Sequence, residues 1–218
     1  MAQPRRSSDH PPIGDRLRAT RQERGLSLRE LAERLGVSPS LISQVETGRA
    51  RPSVSTLYAI ANELNVSLDE LLFPDADPSR GRTLARVPAV ARGTMPRDPV
   101  QRAGTRKAIR LGSGVVWERL TSESLADAEF LHVTYEVGGA SCPEHEFQRH
   151  NGQEWGYVLS GRLGVTIGFD DHQLQAGDAI AFESSIPHRL YNAGGDPVQG
   201  IWFVLGRRSL DVPGLQDQ

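Results

Sequence analysis

The sequence predicts two domains of different class, an all-α N-terminal domain of five short helices and an all-β C-terminal barrel. Within residues 13–73, apolar residues recur at helical spacing behind residues that cap helix N-termini. From residue 106 to residue 210, the apolar residues instead alternate with polar ones in short segments. The intervening residues 74–105 are rich in proline and arginine and have no periodicity, which is typical of a linker.

Charge is distributed unevenly along the 218 residues. Residues 1–56 hold ten Lys or Arg against six Asp or Glu, and residues 74–112 hold nine against three. Residues 113–218 hold six against fifteen. A basic N-terminal part and an acidic C-terminal part indicate a nucleic-acid-binding module joined to a domain that does not touch nucleic acid.

The cysteine content and the hydropathy of the sequence indicate the cellular compartment of the protein. Cys142 is the only cysteine, which excludes a disulfide framework, and no apolar run approaches the ~20 residues needed to span a membrane. We therefore expect a cytoplasmic protein. Residues 1–12 read as a disordered basic arm, and residues 211–218 as a tail.

Residues 27–48 predict two helices joined by a tight turn. Ser27 and Glu30 form a capping-box pattern at the start of the first helix, and Gly36 is placed to end it. Ser38 with the following proline supplies an N-cap for the second helix, which Gly48 is placed to end. Such a pair packs as a helix-turn-helix, whose second helix enters the DNA major groove.

Three further helices complete the N-terminal prediction. A first helix covers residues 13–24 and ends at Gly25. Ser53 caps a fourth helix with an apolar stripe, and Ser67 with Glu70 opens a fifth that runs through Leu72.

The outward side chains of the second motif helix are short and polar, as hydrogen bonding to base edges requires. Two arginines follow that helix and suit phosphate contacts. The candidate DNA-binding residues are Arg29, Ser38, Ser40, Ser43, Gln44, Thr47, Arg49 and Arg51.

Residues 28–72, LRELAERLGVSPSLISQVETGRARPSVSTLYAIANELNVSLDELL, resemble the XRE (Cro/repressor-like) helix-turn-helix family, and the match extends over residues 13–73. The resemblance implies binding to double-stranded DNA. Because one short recognition helix reads only a few base pairs, we expect a homodimer on a palindromic operator.

The alternating segments of the C-terminal half predict an all-β sandwich or barrel, because each is short, rich in β-branched or aromatic residues and bounded by turn residues. The predicted strands contain residues 115–117, 130–135, 155–159, 163–167, 179–182 and 200–205.

Residues 148–163 and 177–192 resemble the two motifs of the cupin superfamily, a jelly-roll barrel. Gln148 stands where the first motif usually has a histidine. Other departures are Cys142, Glu183 and Ser185, and the matching residues are His150, Glu154, Gly161, Gly177, His188 and Asn192. The resemblance implies a metal or ligand site formed by Gln148, His150, Glu154 and His188, with Tyr157, Phe182 and Asn192 lining its pocket.

The geometry of the loop after His150 decides whether His150 and Glu154 can belong to the same site. If residues 151–153 form a three-residue hairpin loop, His150 and Glu154 face the same side, whereas a two-residue Asn-Gly turn would place them on opposite faces. With His188 they would form a two-histidine, one-carboxylate set suited to divalent Fe, Mn, Zn or Ni. Alternatively, the same side chains would hydrogen-bond an organic ligand.

Together these features predict a sequence-specific DNA-binding transcriptional regulator whose cupin domain senses a small-molecule effector or a metal. The alternative is an enzyme, since some proteins of this architecture resemble mononuclear non-haem metal-dependent oxidases or epoxidases. The polar recognition face and the arginines that follow it favour the regulator, because catalysis does not need them.

Overall fold

The computed structural model describes residues 13–66, 68–72, 98–125 and 128–206. The chain divides into two compact units, one ending at Ala50 and the other beginning at Arg51. The predicted basic arm, the tail, the Ser67 cap and linker residues 74–97 lie outside the described residues. The domain boundaries drawn from the sequence remain predictions.

Capping residues set the ends of the helices of the first unit, which are α1 (Ile13–Glu23), α2 (Leu28–Arg34) and α3 (Pro39–Glu46). The capping box before α2 is present: the Glu30 N–H donates to Ser27 Oγ at 3.2 Å, and the Ser27 N–H donates to Glu30 Oε2 at 2.7 Å. Ser38 Oγ accepts from the Leu41 N–H at 3.2 Å and so caps α3. Local sequence signals therefore start both motif helices where they were predicted.

Helix α3 packs against both α1 and α2. A buried ion pair joins α1 to the end of α3, where Arg21 Nε and Nη2 donate to the two carboxylate oxygens of Glu46 at 2.6 and 3.0 Å. Arg21 Nη1 donates to the Leu26 carbonyl, so the guanidinium is held on three sides. The buried apolar residues of this unit are Leu17, Leu31, Ala32, Ile42 and Val45.

Helix α4 (Val54–Glu63), capped by Ser53, and helix α5 (Leu68–Leu72) belong to the second unit together with the β-strands. Backbone hydrogen bonds tie the start of α4 to the strand domain. The Gly112 N–H donates to the Pro52 carbonyl at 2.9 Å, and the Ser55 N–H donates to the Ser141 carbonyl at 3.1 Å. The sequence pattern places α4 in the N-terminal domain, and the first turn of α4 is hydrogen-bonded to the strand domain.

The second unit contains two antiparallel sheets. The strands are β1 (Ala108–Arg110), β2 (Val115–Arg119), β3 (Ala128–Tyr135), β4 (Gln153–Ser160), β5 (Arg162–Ile167), β6 (Asp170–Gln175), β7 (Ala179–Glu183), β8 (His188–Asn192) and β9 (Val198–Leu205). Their order is β1-β2-β3-β9-β4-β7 in the larger sheet and β6-β5-β8 in the smaller one. Buried and exposed residues alternate along β3, β4 and β9, so one face of the larger sheet is buried. The prediction of an all-β C-terminal domain is confirmed.

All six predicted strands are present, and β1, β6 and β8 were not predicted. Strand β6 lies at the edge of the smaller sheet and buries only Leu174, so it carries no alternating apolar signal. Among the described residues, no helix has the length and apolar character that crossing a membrane requires.

Candidate nucleic-acid interface and metal centre

Helices α2 and α3 form a helix-turn-helix with a polar outer surface. Seven of the eight candidate DNA-binding residues are exposed, and Ser43 is half-buried. Gln44 Nε2 donates to Ser40 Oγ at 3.3 Å, one turn earlier on the same helix. Ser38 is engaged as the N-cap, and the Thr47 hydroxyl donates to the Ser43 carbonyl at 2.8 Å. The Gln44 side chain is therefore the longest polar group that the exposed side of α3 offers to a base edge.

Two arginines follow that helix. Gly48 has a positive φ of 69°, and the Arg49 N–H donates back to the Gln44 carbonyl at 2.8 Å, which ends α3 in a tight turn. Arg49 and Arg51 are both exposed beyond that turn. Exposed guanidinium groups at this position suit phosphate contacts.

The second unit brings His150, Glu154 and His188 together in its interior. His150 Nε2 lies 2.9 Å and His188 Nε2 lies 3.3 Å from the same carboxylate oxygen, Glu154 Oε1. All three side chains are buried. The Gln148 side-chain amide lies 3.1 Å from His188 Nε2, which places the fourth predicted residue beside the other three.

The hydrogen bonds on the far side of each histidine ring fix which nitrogen faces Glu154. His150 Nδ1 lies 2.9 Å from the Asn151 carbonyl, and His188 Nδ1 lies 2.9 Å from the Ile186 carbonyl. Because a carbonyl can only accept, each Nδ1 carries the proton. In the neutral rings each Nε2 then carries a lone pair and no hydrogen, so neither ring donates to Glu154 Oε1, and His188 Nε2 accepts from Gln148 Nε2 at 3.1 Å. A proton or a cation between these atoms is needed to make the contact favourable.

This donor set fits a divalent metal. Metal bonds of 2.0–2.2 Å place neighbouring ligand atoms roughly 3.0–3.4 Å apart, close to the distances of 2.9 and 3.3 Å found here. Two imidazoles and one carboxylate are a ligand set used by several transition metals. The three residues could therefore hold a metal ion. Gln148 Oε1 is buried and makes no hydrogen bond with described residues, and it is a candidate fourth ligand.

Burial and the two histidines act in opposite directions on the carboxylate. Burial raises the pKa of Glu154, but when His150 and His188 each carry a second proton on Nε2, their hydrogen bonds and charges outweigh burial and hold the pKa well below its ordinary value. The carboxylate is therefore ionised, which is the form that coordinates metals.

Trp202 supports Glu154 from the opposite side, a role that the sequence did not predict. Its indole Nε1–H donates to Glu154 Oε2 at 2.6 Å. The indole reaches this position because Gly156 pairs with Trp202 across β4 and β9, where a Cβ atom would lie 2.1 Å from the ring. The one available signal was the inward position of Trp202 in the alternation of β9.

Three predictions about this site need correction. Tyr157 does not line it, because it lies on the opposite face of β4 from Glu154 and is 45% exposed. The Asn192 amide donates to the Tyr135 and Asp196 carbonyls, so it serves as a structural link rather than as part of the pocket. Phe182 does contact the site, with its ring centroid 4.9 Å from that of His188.

The third correction concerns the hairpin. Residues 151–153 do not join two paired strands, because Gln148 bridges to His188, whereas β4 pairs with β7 and β9. His150 instead donates its backbone N–H to the Ser184 carbonyl at 3.0 Å. His150 thus reaches Glu154 by crossing from one sheet to the other.

Tyr58 of α4 is a second residue that the sequence analysis missed. Its ring stacks on His150, with centroids 4.5 Å apart and planes inclined by 28°. The ring also lies 5.7 Å from Trp117 of β2, and the residue is 5% exposed. No sequence signal connects Tyr58 with a histidine 92 positions later, since only tertiary packing brings them together.

Comparison with known proteins identifies both parts of the chain. The Helix-turn-helix family profile matches residues 17–71, and the Cupin domain profile matches residues 131–204. The HTH-type transcriptional regulator PuuR of Escherichia coli (strain K12) is 29% identical over 181 residues, which cover 82% of this chain and 86% of PuuR.

Two further similarities concern a shorter relative and a solved structure. The HTH-type transcriptional regulator DdrOP3 of Deinococcus deserti is 34% identical over 38% of this chain and 84% of its own length. The crystal structure of an HTH_3 family transcriptional regulator from Vibrio cholerae has a TM-score of 0.58 and 22% identity, and covers 89% of this chain and 94% of that one. The structural likeness supports the fold.

Proposed function

The chain belongs to the HTH-type transcriptional regulators that join a helix-turn-helix to a cupin domain, and we propose that it binds a palindromic operator as a homodimer and changes its DNA affinity when the cupin site is filled. Because such a regulator must reach chromosomal DNA, the proposal places it in the cytoplasm. The two sheets would form the walls of the predicted jelly-roll barrel.

One observation carries the sensing part of the proposal. Two buried imidazole nitrogens lie 2.9 and 3.3 Å from one oxygen of the buried Glu154 carboxylate, and the tautomers set by the outer hydrogen bonds of the rings leave no hydrogen on either nitrogen. Such a cluster is unfavourable without a cation or protons between its members. We propose that His150, Glu154 and His188 hold Fe, Mn, Zn or Ni as a divalent ion, with Gln148 as a weak fourth ligand and Phe182 against the site.

Metal analysis tests the sensing part directly. Full-length protein purified without a chelator or an affinity tag should contain about one metal ion per chain, or take one up when Mn²⁺ or Zn²⁺ is added. Absence of stoichiometric metal in both preparations would contradict the metal assignment and leave an organic ligand as the occupant.

The DNA-binding part rests on the polar side of α3. Ser43→Ala combined with Gln44→Ala should reduce affinity for a selected operator by at least 10-fold, because a good bidentate contact to a base edge is worth about 1–3 kcal/mol. Gln22→Ala, an exposed glutamine on α1, is the matched control. Binding competitions against random duplex, with circular dichroism to check folding, would measure the effect. Unchanged operator affinity would show that α3 does not read the bases.

Arg49 gives a second readout of the same interface. Arg49→Ala should weaken binding to operator and random DNA alike and should reduce the salt slope by about 1, since one phosphate contact is lost. A loss confined to the operator would instead indicate that Arg49 reads a base.

The outer face of the larger sheet supports the homodimer. Phe130, Trp155, Tyr157, Leu159 and Leu205 point outward from β3, β4 and β9, and each is at least 36% exposed. Phe203 joins them, with its ring 6.2 Å from Phe130 and 5.8 Å from Trp155. A continuous apolar surface of this kind marks an interaction site, and we propose that a second copy of the chain covers it.

Sedimentation tests this surface. Trp155→Glu with Tyr157→Glu should convert the dimer to a monomer, because facing copies would bury like charges. Phe169→Glu, which changes an exposed aromatic residue in the turn between β5 and β6, should leave the dimer intact. A double variant that remains dimeric would place the interface elsewhere.

We also propose that the cupin site binds its ligand without catalysing a reaction, in contrast to the enzyme alternative. Oxygen uptake by the Fe²⁺-loaded protein with small hydroxylated test substrates would check this point. Sustained uptake coupled to a product, abolished in Glu154→Gln, would establish the oxidase or epoxidase reading.

A further inference from the structure

The first turns of α4 are fixed to the part of the domain that carries the metal ligands. The Ser55 N–H donates to the Ser141 carbonyl, and Ser141 is bonded in both directions to Leu190 of β8, the strand that begins with His188. At the other contact, a Cβ atom on Gly112 would lie 2.4 Å from the Arg51 carbonyl oxygen, so the two backbones touch. Helix α4 therefore follows movements of this domain.

Tyr58 reaches from α4 to a metal ligand itself. The His150 ring has contacts on three sides, with the Asn151 carbonyl at Nδ1, Glu154 at Nε2 and the Tyr58 ring on one face. Any change of occupancy at Nε2 alters the balance of these contacts. Since Tyr58 is buried between His150 and Trp117, it cannot stay in place while the histidine ring tilts.

Chain connectivity carries the effect toward DNA. Helix α4 begins at Val54, eight residues after α3 ends at Glu46, and the connection contains Arg49 and Arg51. A movement of the strand domain that carries the start of α4 with it also moves the C-terminal end of that connection. The candidate phosphate-binding residues Arg49 and Arg51 are therefore only a few residues in sequence from α4, the helix that contacts the proposed metal site.

We propose that Tyr58, stacked on His150, transmits occupancy of the His150–Glu154–His188 site to helix α4 and thereby to DNA binding. This inference rests on the proposed function and names the residue that couples its two halves. Tyr58 is a positioning residue, since it touches a ligand side chain and not the metal position.

The test compares metal and DNA affinities in one thermodynamic cycle. Co²⁺ is the probe, because its visible absorption reports binding before DNA is added, and the DNA is a duplex that the wild-type protein enriches from a random pool. In the wild-type protein, Co²⁺ should change the duplex Kd by about 5–150-fold, the usual range of allosteric coupling, and DNA should change the Co²⁺ Kd by the same factor.

Tyr58→Met removes the ring but keeps an apolar side chain, and should reduce this coupling to within about twofold while each separate affinity stays measurable. Tyr58→Phe retains the stacked ring and should retain the coupling. Tyr191→Met, which removes a half-buried tyrosine of β8 that contacts Arg189, is the matched control and should also retain it.

Each outcome decides between the inference and the function beneath it. Full coupling in Tyr58→Met overturns the inference alone and leaves the proposed function in place. Co²⁺ binding without any change of duplex affinity in the wild type overturns the proposed regulation together with the inference and leaves only the metal site. No Co²⁺ absorption overturns the proposed metal site itself.

A measurement on the unaltered protein guards against a misfolded variant. Amide hydrogen exchange over residues 55–61 should change by at least about threefold when Co²⁺ is added, since local opening of α4 depends on its contacts. Unchanged exchange across these residues would overturn the inference even if no Tyr58 variant folds.

Discussion

Two buried ionic clusters in this chain differ in how completely their polar groups are satisfied. In the helical unit, Arg21 places two nitrogens on the two Glu46 oxygens and a third on the Leu26 carbonyl, so each of its three nitrogens donates to an acceptor. In the cupin domain, two imidazole nitrogens converge on a single oxygen of Glu154, and their tautomers leave no hydrogen between them. The first cluster is complete with protein groups alone, and the second is complete only with an added cation or proton.

This difference in hydrogen bonding distinguishes a structural ion pair from a candidate binding site. A buried charge is tolerated when its partners are fixed and its hydrogen bonds are made, as in the Arg21 pair. A buried cluster that leaves its lone pairs facing one another is retained when a ligand supplies the missing positive charge. The predictions below disturb each cluster in turn, beginning with the largest expected effect.

Breaking the satisfied pair should cost the most stability. Glu46→Gln leaves the buried Arg21 guanidinium without its counter-charge, and we expect the free energy of unfolding to fall by about 3–5 kcal/mol. Urea denaturation followed by circular dichroism measures this loss. Glu33→Gln, at an exposed position of α2, is the control and should change stability by less than about 0.5 kcal/mol.

A double variant sharpens the same point. Arg21→Met with Glu46→Leu removes both charges and should recover most of the stability lost in Glu46→Gln, because buried ion pairs can often be replaced by apolar residues of similar size. Failure to recover would mean that the pair itself, and not the cost of an unpaired charge, stabilises the helices.

Removing the shared carboxylate should abolish metal binding. Glu154→Gln takes away the one group that both histidines face, and we expect divalent metal affinity to fall by more than about 100-fold, because even the outer partners of metal ligands are worth 10–100-fold. Isothermal titration with Zn²⁺ measures the change. Glu136→Gln, an exposed carboxylate in the turn after β3, should bind as the wild type does. Equal affinities would place the metal away from these three residues.

Substitution of Trp202 should lower the metal affinity less than substitution of Glu154, because Trp202 acts through its hydrogen bond to Glu154. Trp202→Phe keeps the aromatic ring over Gly156 but removes the N–H that donates to Glu154 Oε2, and we expect the Zn²⁺ affinity to fall by about 10–100-fold. Trp155→Phe changes a tryptophan on the other face of the neighbouring strand and should have no such effect. If Trp202→Phe and Trp155→Phe bind Zn²⁺ with the same affinity, the hydrogen bond from Trp202 to Glu154 serves only the packing of Glu154.

Local signals in the sequence predicted the helices and the donor set well. Ser27, Ser38 and Ser53 each cap the helix that follows, because a cap is decided within four residues. The two cupin motifs likewise supplied the candidate donor residues Gln148, His150, Glu154 and His188, since each motif fixes the spacing of its own residues.

Partners that depend on sheet register could not be predicted. Trp202 meets Glu154 because β4 pairs with β9, and Tyr157 faces outward because it is an odd number of residues from Glu154. The hairpin hypothesis failed for the same reason, since it assumed that neighbouring segments pair, whereas residue 148 pairs across to β8. Tyr58 reaches His150 through packing of a helix on a sheet, for which the sequence holds no periodic signal.

The capping box provides the smallest effect, an exposed ionic contact to set beside the two buried clusters. Hydrogen bonding to the Ser27 side chain, and then to its backbone N–H, lowers the pKa of Glu30 below its ordinary value. A carboxylate with a lowered folded pKa contributes stability at pH values above its unfolded pKa of about 4.3, and this contribution is lost as the pH falls through the folded value. The urea midpoints of the wild type and Glu30→Gln should therefore differ at pH 7 and converge only as the pH is lowered below about 4.3 and through the folded pKa. A gap that widened on acidification would mean that the ionised form of Glu30 does not stabilise α2.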